Sequence, residues 1–321
     1  MNTTITNATE TKTTIHQRVI PNIPVDARWT KKAVTVAGGN GWGIEINQLS
    51  NPFGLFLDDD QTMIIADWWN HRIIQWKMGE TNGQVVAGGH GKGNRLDQLN
   101  YPTDMLIDKA TDSFIVCDRE NRRIMQWSRH NGTTKGEILV DNIRCWGLAM
   151  DDQRYLYISD DEKHEVRRYQ MESKSETIVA GGHGSGADLN QLHYPTYIFV
   201  DRQQTVYVSD GNHRVMKWNK SATEGIIVAG GQGAGSALTQ LRNPQGLFVD
   251  TLGTVYVAEY GNLRITRWPQ GATQGTVIVA ANLEMLVADE LHNPMGLSFD
   301  SHGHLYVVDR HNHQIQRFSL E

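Results

Sequence analysis

The side chains best suited to chemistry in this chain are carboxylates and histidines that recur at fixed spacing, together with aromatics in loops. Acidic residues stand at Asp67, Asp118, Asp160, Asp210, Glu259 and Asp309. Six carboxylates converging on one point would bind a cation. The alternative is that each pairs with an arginine shortly after it (Arg72, Arg123, Arg214 or Arg264), which satisfies a partly buried charge. Glu165 and Gln314 occupy the arginine's place after Asp160 and Asp309. Those two acids are therefore the candidates for a ligand or metal, unless Arg144 or Arg310 supplies the missing charge.

Histidine offers less. Of thirteen, His71, His164, His213 and His313 share one recurring position, which spreads them apart. His302 with His304, and His311 with His313, are the close pairs. Zinc needs three or four converging ligands, and no third can be named, so no metal or other cofactor is expected. The segment 88–93, GGHGKG, lacks the Lys-Ser/Thr and following helix of a phosphate-binding loop. No catalytic constellation can be placed.

Aromatic display is the stronger signal. Adjacent Trp68 and Trp69 cannot both face a core, and exposed tryptophan is enriched at interfaces. Trp146 stands where other copies of the repeat carry Phe53, Thr103, Thr196, Gln245 and Met295. It reads either as a contact residue or as packing that replaces a lost loop. Asp104 and Tyr197 replace a glycine found at Gly54, Gly147, Gly246 and Gly296, and are expected to project toward a channel mouth. Arg119, Tyr260, Arg310 and His311 belong to the same set of loops.

The elements that position these residues follow from the repeat. Pro52, Pro102, Pro195, Pro244 and Pro294 mark five copies, and Cys145 takes the proline place in a sixth. Six residues after each comes an aspartate: Asp58, Asp108, Asp151, Asp201, Asp250 and Asp300. Each copy reads as four short strands rich in Val, Ile, Tyr, Phe and Trp, punctuated by Gly, Asn and Asp. The first two strands are nearly continuous in apolar residues, as when both faces are covered. The spacing predicts an all-β, six-bladed propeller of four-stranded blades over residues 32–321, after a polar, flexible tail and lead-in over 1–31. The chain stops after a third strand. Segment 33–37 matches a fourth strand, so the N-terminal strand is expected to complete the last blade and close the ring.

Between blades run Gly-rich links at 37–43, 87–93, 180–186 and 229–235. Leucines 49, 99, 192, 241 and 291 read as plugs that pin such links down. From Val140 to Cys145 the link is only five residues, which predicts a gap in the rim beside Trp146. Trp76, Trp127, Trp218 and Trp268 read as inter-blade core.

These repeats resemble the NHL family. The residues that carry the likeness are Ile-Ala-Asp-Trp-Trp-Asn-His-Arg-Ile (65–73), Val-Ser-Asp-Gly-Asn-His-Arg-Val (208–215) and Val-Ala-Glu-Tyr-Gly-Asn-Leu-Arg-Ile (257–265). The resemblance implies the propeller fold over about residues 32–320 and leaves function open. Similar propellers bind RNA or protein in tripartite-motif ubiquitin ligases, form parts of bacterial receptor kinases, or act as the lyase of peptide amidation. The three-His zinc set of that lyase has no match here.

The leading expectation is a non-catalytic binding module that engages a protein or peptide through the top face, as a monomeric domain. The alternatives are a metal-dependent lyase or lactonase-like enzyme at the channel, and single-stranded RNA binding. The balance of 30 basic and 36 acidic side chains, net −6, speaks against nucleic acid and anionic membranes. No apolar run approaches the ~18–20 residues that cross a bilayer. Cys117 and Cys145 provide no disulfide framework, and as free thiols they fit a reducing compartment. A cytoplasmic location is therefore the default, and an extracellular one is the alternative if the chain belongs to a larger protein. Sequons begin at Asn2, Asn7, Asn131 and Asn219.

Overall fold

A computed structural model describes residues 19–130, 133–281 and 291–321. Asn2, Asn7, Asn131 and most of the predicted tail lie outside them.

Six four-stranded antiparallel sheets form the ring. Blade one comprises β2 (Leu55–Leu57), β3 (Met63–Asp67), β4 (Arg72–Trp76) and β5 (Gln84–Gly88). Blade two has β6 (Pro102–Asp108), β7 (Ser113–Asp118), β8 (Arg123–Ser128) and β9 (Glu137–Asp141). Blade three has β10 (Cys145–Met150), β11 (Tyr155–Asp160), β12 (Glu165–Gln170) and β13 (Glu176–Gly181). Blade four has β14 (Ile198–Val200), β15 (Val206–Asp210), β16 (Arg214–Trp218) and β17 (Ile226–Gly230). Blade five has β18 (Pro244–Val249), β19 (Val255–Glu259), β20 (Arg264–Trp268) and β21 (Thr276–Ala280). Blade six takes β22 (Pro294–Phe299), β23 (Leu305–Asp309) and β24 (Gln314–Phe318), and β1 (Val34–Gly38) completes it. Pairs such as Val34 with Arg317 and Gly38 with Gln314 zip the ring shut, as the sequence predicts.

Why these strands settle at these depths is visible residue by residue. Second strands such as β3, β15 and β23 are buried along their whole length, because a blade on each side covers them. Fourth strands lie outermost, exposed where they begin and buried at a single residue near their ends, such as Ala37, Ala87 or Val140. The repeated Trp76, Trp127, Trp218 and Trp268 are each 2 % exposed and fill the spaces between blades. Burying one such ring contributes about 2–3 kcal/mol. The predicted leucine plugs hold: Leu49, Leu99, Leu192, Leu241 and Leu291 are all buried.

At the bottom, the recurring spacing of aspartates shapes the hairpins. Asp151, Asp201, Asp250 and Asp300 each accept backbone N–H bonds from two turn residues, for example Leu252 and Thr254 on Asp250 at 2.9 Å. The lead-in is packed against this face. Ile23 and Trp29 are buried, and the Trp29 indole N–H donates to Gly303 O at 2.9 Å.

Candidate functional site

The ends of the second strands, the starts of the first strands and the links share the top face. The acidic positions there are structural in four blades. Asp67, Asp118, Asp210 and Glu259 each receive the Nε of Arg72, Arg123, Arg214 or Arg264 at 2.7 Å. The rest of each guanidinium reaches into the preceding Gly-rich link. Arg72 donates to the carbonyls of Ile44, Glu45 and Gln48, and Arg214 to those of Ala187, Asp188 and Gln191.

The recurring histidines hold the same links from the other side. His71, His164, His213 and His313 each accept, through Nδ1, the backbone N–H of Tyr101, Tyr194, Asn243 or Asn51 in the next blade. Each Gly-rich link is thus stapled by a histidine before it and an arginine after it. In each, a glycine sits where the backbone turns against the histidine's own carbonyl. A Cβ on Gly88 (φ +66°) would lie 2.5 Å from His71 O. The departures follow directly. The short link before blade three has Arg122 and Glu165 in the two staple positions, and the link before blade six has Leu263 and Gln314.

Asp160 and Asp309 differ from each other. Asp309 is fully satisfied by amides, accepting from Asn312 Nδ2, Gln314 Nε2 and His292 N. Asp160 takes the backbone N–H groups of Glu162 and Lys163, while its Oδ2 is buried with no protein partner. Burial raises the pKa of both carboxyls. Arg144 turns instead to Glu120 and Asp161, and Arg310 to Tyr260, so neither replaces the missing arginine. Blades three and six face each other across the ring, which keeps these two acids apart. The described residues contain no group of three or more His, Cys, Asp or Glu able to hold a metal.

Where the link is lost, a covalent bond stands in its place. Cys117 at the end of β7 and Cys145 at the start of β10 form a disulfide, with Cα atoms 5.8 Å apart. The reading of two free thiols is corrected. Blade packing brings the second strand of one blade beside the first strand of the next, so residues 28 apart in sequence meet.

Beside that bond lies an aromatic bowl. Trp68 stacks on Phe53 at 4.9 Å between ring centres, and Trp146 tilts against Phe53 at 5.7 Å. Tyr197 and Met295 are buried in the same cluster, and Tyr260 packs at its margin. Two arginines lie over the rings. Arg310 sits 4.8 Å from Phe53, 5.5 Å from Trp68 and 5.9 Å from Tyr260, and Arg119 lies 4.8 Å over Trp146. Arg119 also pairs with Asp161 and Glu120.

Asp104 and Tyr197 stand below, at the upper end of the central channel. The channel holds about 200 Å³, is walled by Leu55, Met105, Leu148, Leu247 and Leu297, and opens between Asp108, Asp151 and Asp201 at the bottom. Asp104 caps the backbone N–H of Leu148 at 2.9 Å. The Tyr197 hydroxyl is buried without a protein partner. Burial first, and then the Asp104 carboxylate, push its pKa well up, against the opposing field of Arg310.

Of the residues singled out from sequence, the fold brings Trp68, Trp146, Tyr197, Tyr260, Arg119 and Arg310 together, with Asp104 beneath them. Trp69 is 45 % exposed and flanks the bowl against Tyr101. His311 lies exposed on the rim against His292. Phe53, the centre of the bowl, was not among the candidates. It follows a strand proline and reads as ordinary core. Asp161, which orients Arg119, lies in one of the predicted top-face loops but was not among the contact candidates either.

This arrangement defines a six-bladed β-propeller with an aromatic, arginine-rimmed upper face. The NHL repeat model matches residues 291–318, in blade six, and the six-bladed ring is the fold of an NHL-repeat propeller. No curated relative matches the sequence. Among solved structures, an auxiliary nutrient binding protein from Bacteroides thetaiotaomicron aligns at 14 % identity and TM-score 0.72, over 92 % of this chain and 77 % of that one. A gluconolactonase from Xanthomonas campestris aligns at 13 % and 0.64, over 95 % and 99 %. Virginiamycin B lyase from Staphylococcus aureus aligns at 10 % and 0.58, over 92 % and 100 %. At these identities the likeness is one of fold. Among the described residues, no helix is long and apolar enough to cross a membrane.

Proposed function

We propose that this protein is a binding module whose top face takes a protein or peptide segment in the bowl of Phe53, Trp68, Trp146 and Tyr260. The observation that carries the reading is the clustering of these rings on the top face, with Trp68, Trp146 and Tyr260 partly exposed and Arg119 and Arg310 laid over them. Aromatic and arginine side chains clustered at the centre of a rigid surface are the usual anchors of an interface. The five-residue link beside Trp146 supports an approach by an extended chain from that side, because it carries less covering loop than the other links.

The Cys117–Cys145 bond supports folding in an oxidising compartment, which favours an extracytoplasmic site of action over a cytoplasmic one. Asn219 is exposed and would carry a glycan in a eukaryotic secretory pathway.

A random-peptide array probed with labelled protein tests the binding reading. Trp68→Ala and Trp146→Ala should each weaken captured peptides by about 2 kcal/mol, roughly thirtyfold. Binding that survives both substitutions unchanged would place the interface elsewhere.

A further inference from the structure

Three donors in the bowl have no acceptor. Arg310 Nε, Trp146 Nε1 and Arg119 Nε are buried without a hydrogen-bond partner in the protein. Arg119 at least has carboxylates, from Asp161 and Glu120. Arg310 does not. Its contacts are the faces of Phe53, Trp68 and Tyr260, and a long 3.5 Å approach to the Tyr260 hydroxyl. Each staple arginine is matched by a buried acid, and of the two arginines laid over the bowl, Arg310 is the one without an ion pair among the described residues. The acid next to it in sequence, Asp309, is already occupied by amides.

The placement of that charge is directional. Arg310 belongs to blade six and the shortened link opens at blade three, on the opposite side of a six-membered ring. Between them lie Trp146 and Phe53, 5.7 Å apart, a span of one or two residues of extended chain at about 3.3 Å each.

Building on the proposed binding reading, we infer that the bowl receives the free C-terminus of a peptide. The chain enters over Trp146, places its last apolar side chain against the partly exposed Trp68 and Tyr260, and delivers its α-carboxylate to Arg310. The guanidinium supplies the charge-assisted, forked hydrogen bonding that a carboxylate matches. An unmatched cation held against three rings is pre-organised for that partner, because its side-chain entropy is already spent.

The simplest probe is N-acetyl-L-phenylalanine, compared with N-acetyl-L-phenylalaninamide, and titrated while the indole N–H signals of Trp68 and Trp146 are followed by NMR. The acid is expected to shift both signals with a millimolar Kd, and the amide about tenfold more weakly or not at all, since a hydrogen bond to a charged group contributes about 1.5–3 kcal/mol. Arg310→Gln should remove the difference between acid and amide without altering the dispersion of the remaining indole signals. Arg119→Gln should leave most of the difference intact. Equal binding of acid and amide overturns the carboxylate inference while leaving the bowl as a binding site. No shift with either ligand also overturns it, and the peptide array then decides separately whether the top face binds longer segments. An N-acetylated, C-terminally amidated peptide with an internal aspartate that binds as tightly as the free acid would transfer the recognition to acidic side chains and overturn the end-specific claim.

Discussion

Consider replacing Arg214 by methionine, which keeps the aliphatic stem and removes the guanidinium. In the folded protein Arg214 is 4 % exposed, Asp210 is wholly buried, and the pair meets at 2.7 Å. The same guanidinium ties down three carbonyls, those of Ala187, Asp188 and Gln191 at 2.7–3.2 Å. Breaking a buried pair by removing one partner costs about 3–5 kcal/mol, because the other charge stays buried and unpaired. Asp210 still holds His193 N and Asn212 N, so the lower half of that range is expected. With an unfolding entropy of about 2 cal/mol/K per residue, a ring of this size should lose roughly 5–7 °C in Tm. Calorimetry reads the global effect. Hydrogen exchange reads the local one: amides of the 183–192 link should exchange faster, while those of blade one should not. The double change Asp210→Asn with Arg214→Met should be milder than the sum of the two singles. A Tm drop below about 2 °C, or a strictly additive double mutant, would refute the claim that these arginines are the staples of the links.

Other outcomes follow from the same geometry. Thiol titration in denaturant without reductant should find no free cysteine, and Cys117→Ser with Cys145→Ser should cost about 3–4 kcal/mol for a closed loop of 28 residues; free thiols in protein purified from its native compartment would reverse the compartment argument. Burial pushes the pKa values of His71 and His313 down, and their Nδ1 atoms must stay unprotonated to accept. Their contribution is fully present above the ordinary imidazole value of about 6.5 and is lost as pH falls through the depressed folded value. Urea midpoints should therefore decline on acidification below about pH 6.5, and less steeply in His71→Gln. Tyr197→Phe removes a buried hydroxyl that has no protein partner, so it should leave Tm unchanged or raise it; a loss above about 1 kcal/mol would mean the hydroxyl has a binding partner that stabilises the plug.

The repeat made the architecture legible, because proline, aspartate and tryptophan recur where every blade needs a strand start, a hairpin cap and an inter-blade filler. The closing strand was legible too, since segment 33–37 has the fourth-strand pattern and no blade of its own. The disulfide was not. Cys117 and Cys145 become neighbours only through packing between blades, and two cysteines offer no spacing rule. The bowl was half legible. Trp68, Trp146 and Arg310 stood out as breaks in the repeat, but Phe53 did not, since a phenylalanine after a strand proline looks like core whatever it faces.

The histidines and arginines carry a sharper lesson, because their pattern was present in the sequence with its meaning hidden. Each residue type taken alone suggests chemistry: a ring of acids, or a set of histidines. Their distribution tracks the links instead. Four blades bear the arginine because four Gly-rich links precede them, and the four histidines stand in the blades that precede those links. Glu165 and Arg122 border the shortened link because nothing remains there to be stapled. Loss of the staples frees blade three from the common constraint, so Asp160, the disulfide, Arg119 and Trp146 could diverge together. Function is best sought at that break, since the four arginine-bearing blades are committed to holding the ring.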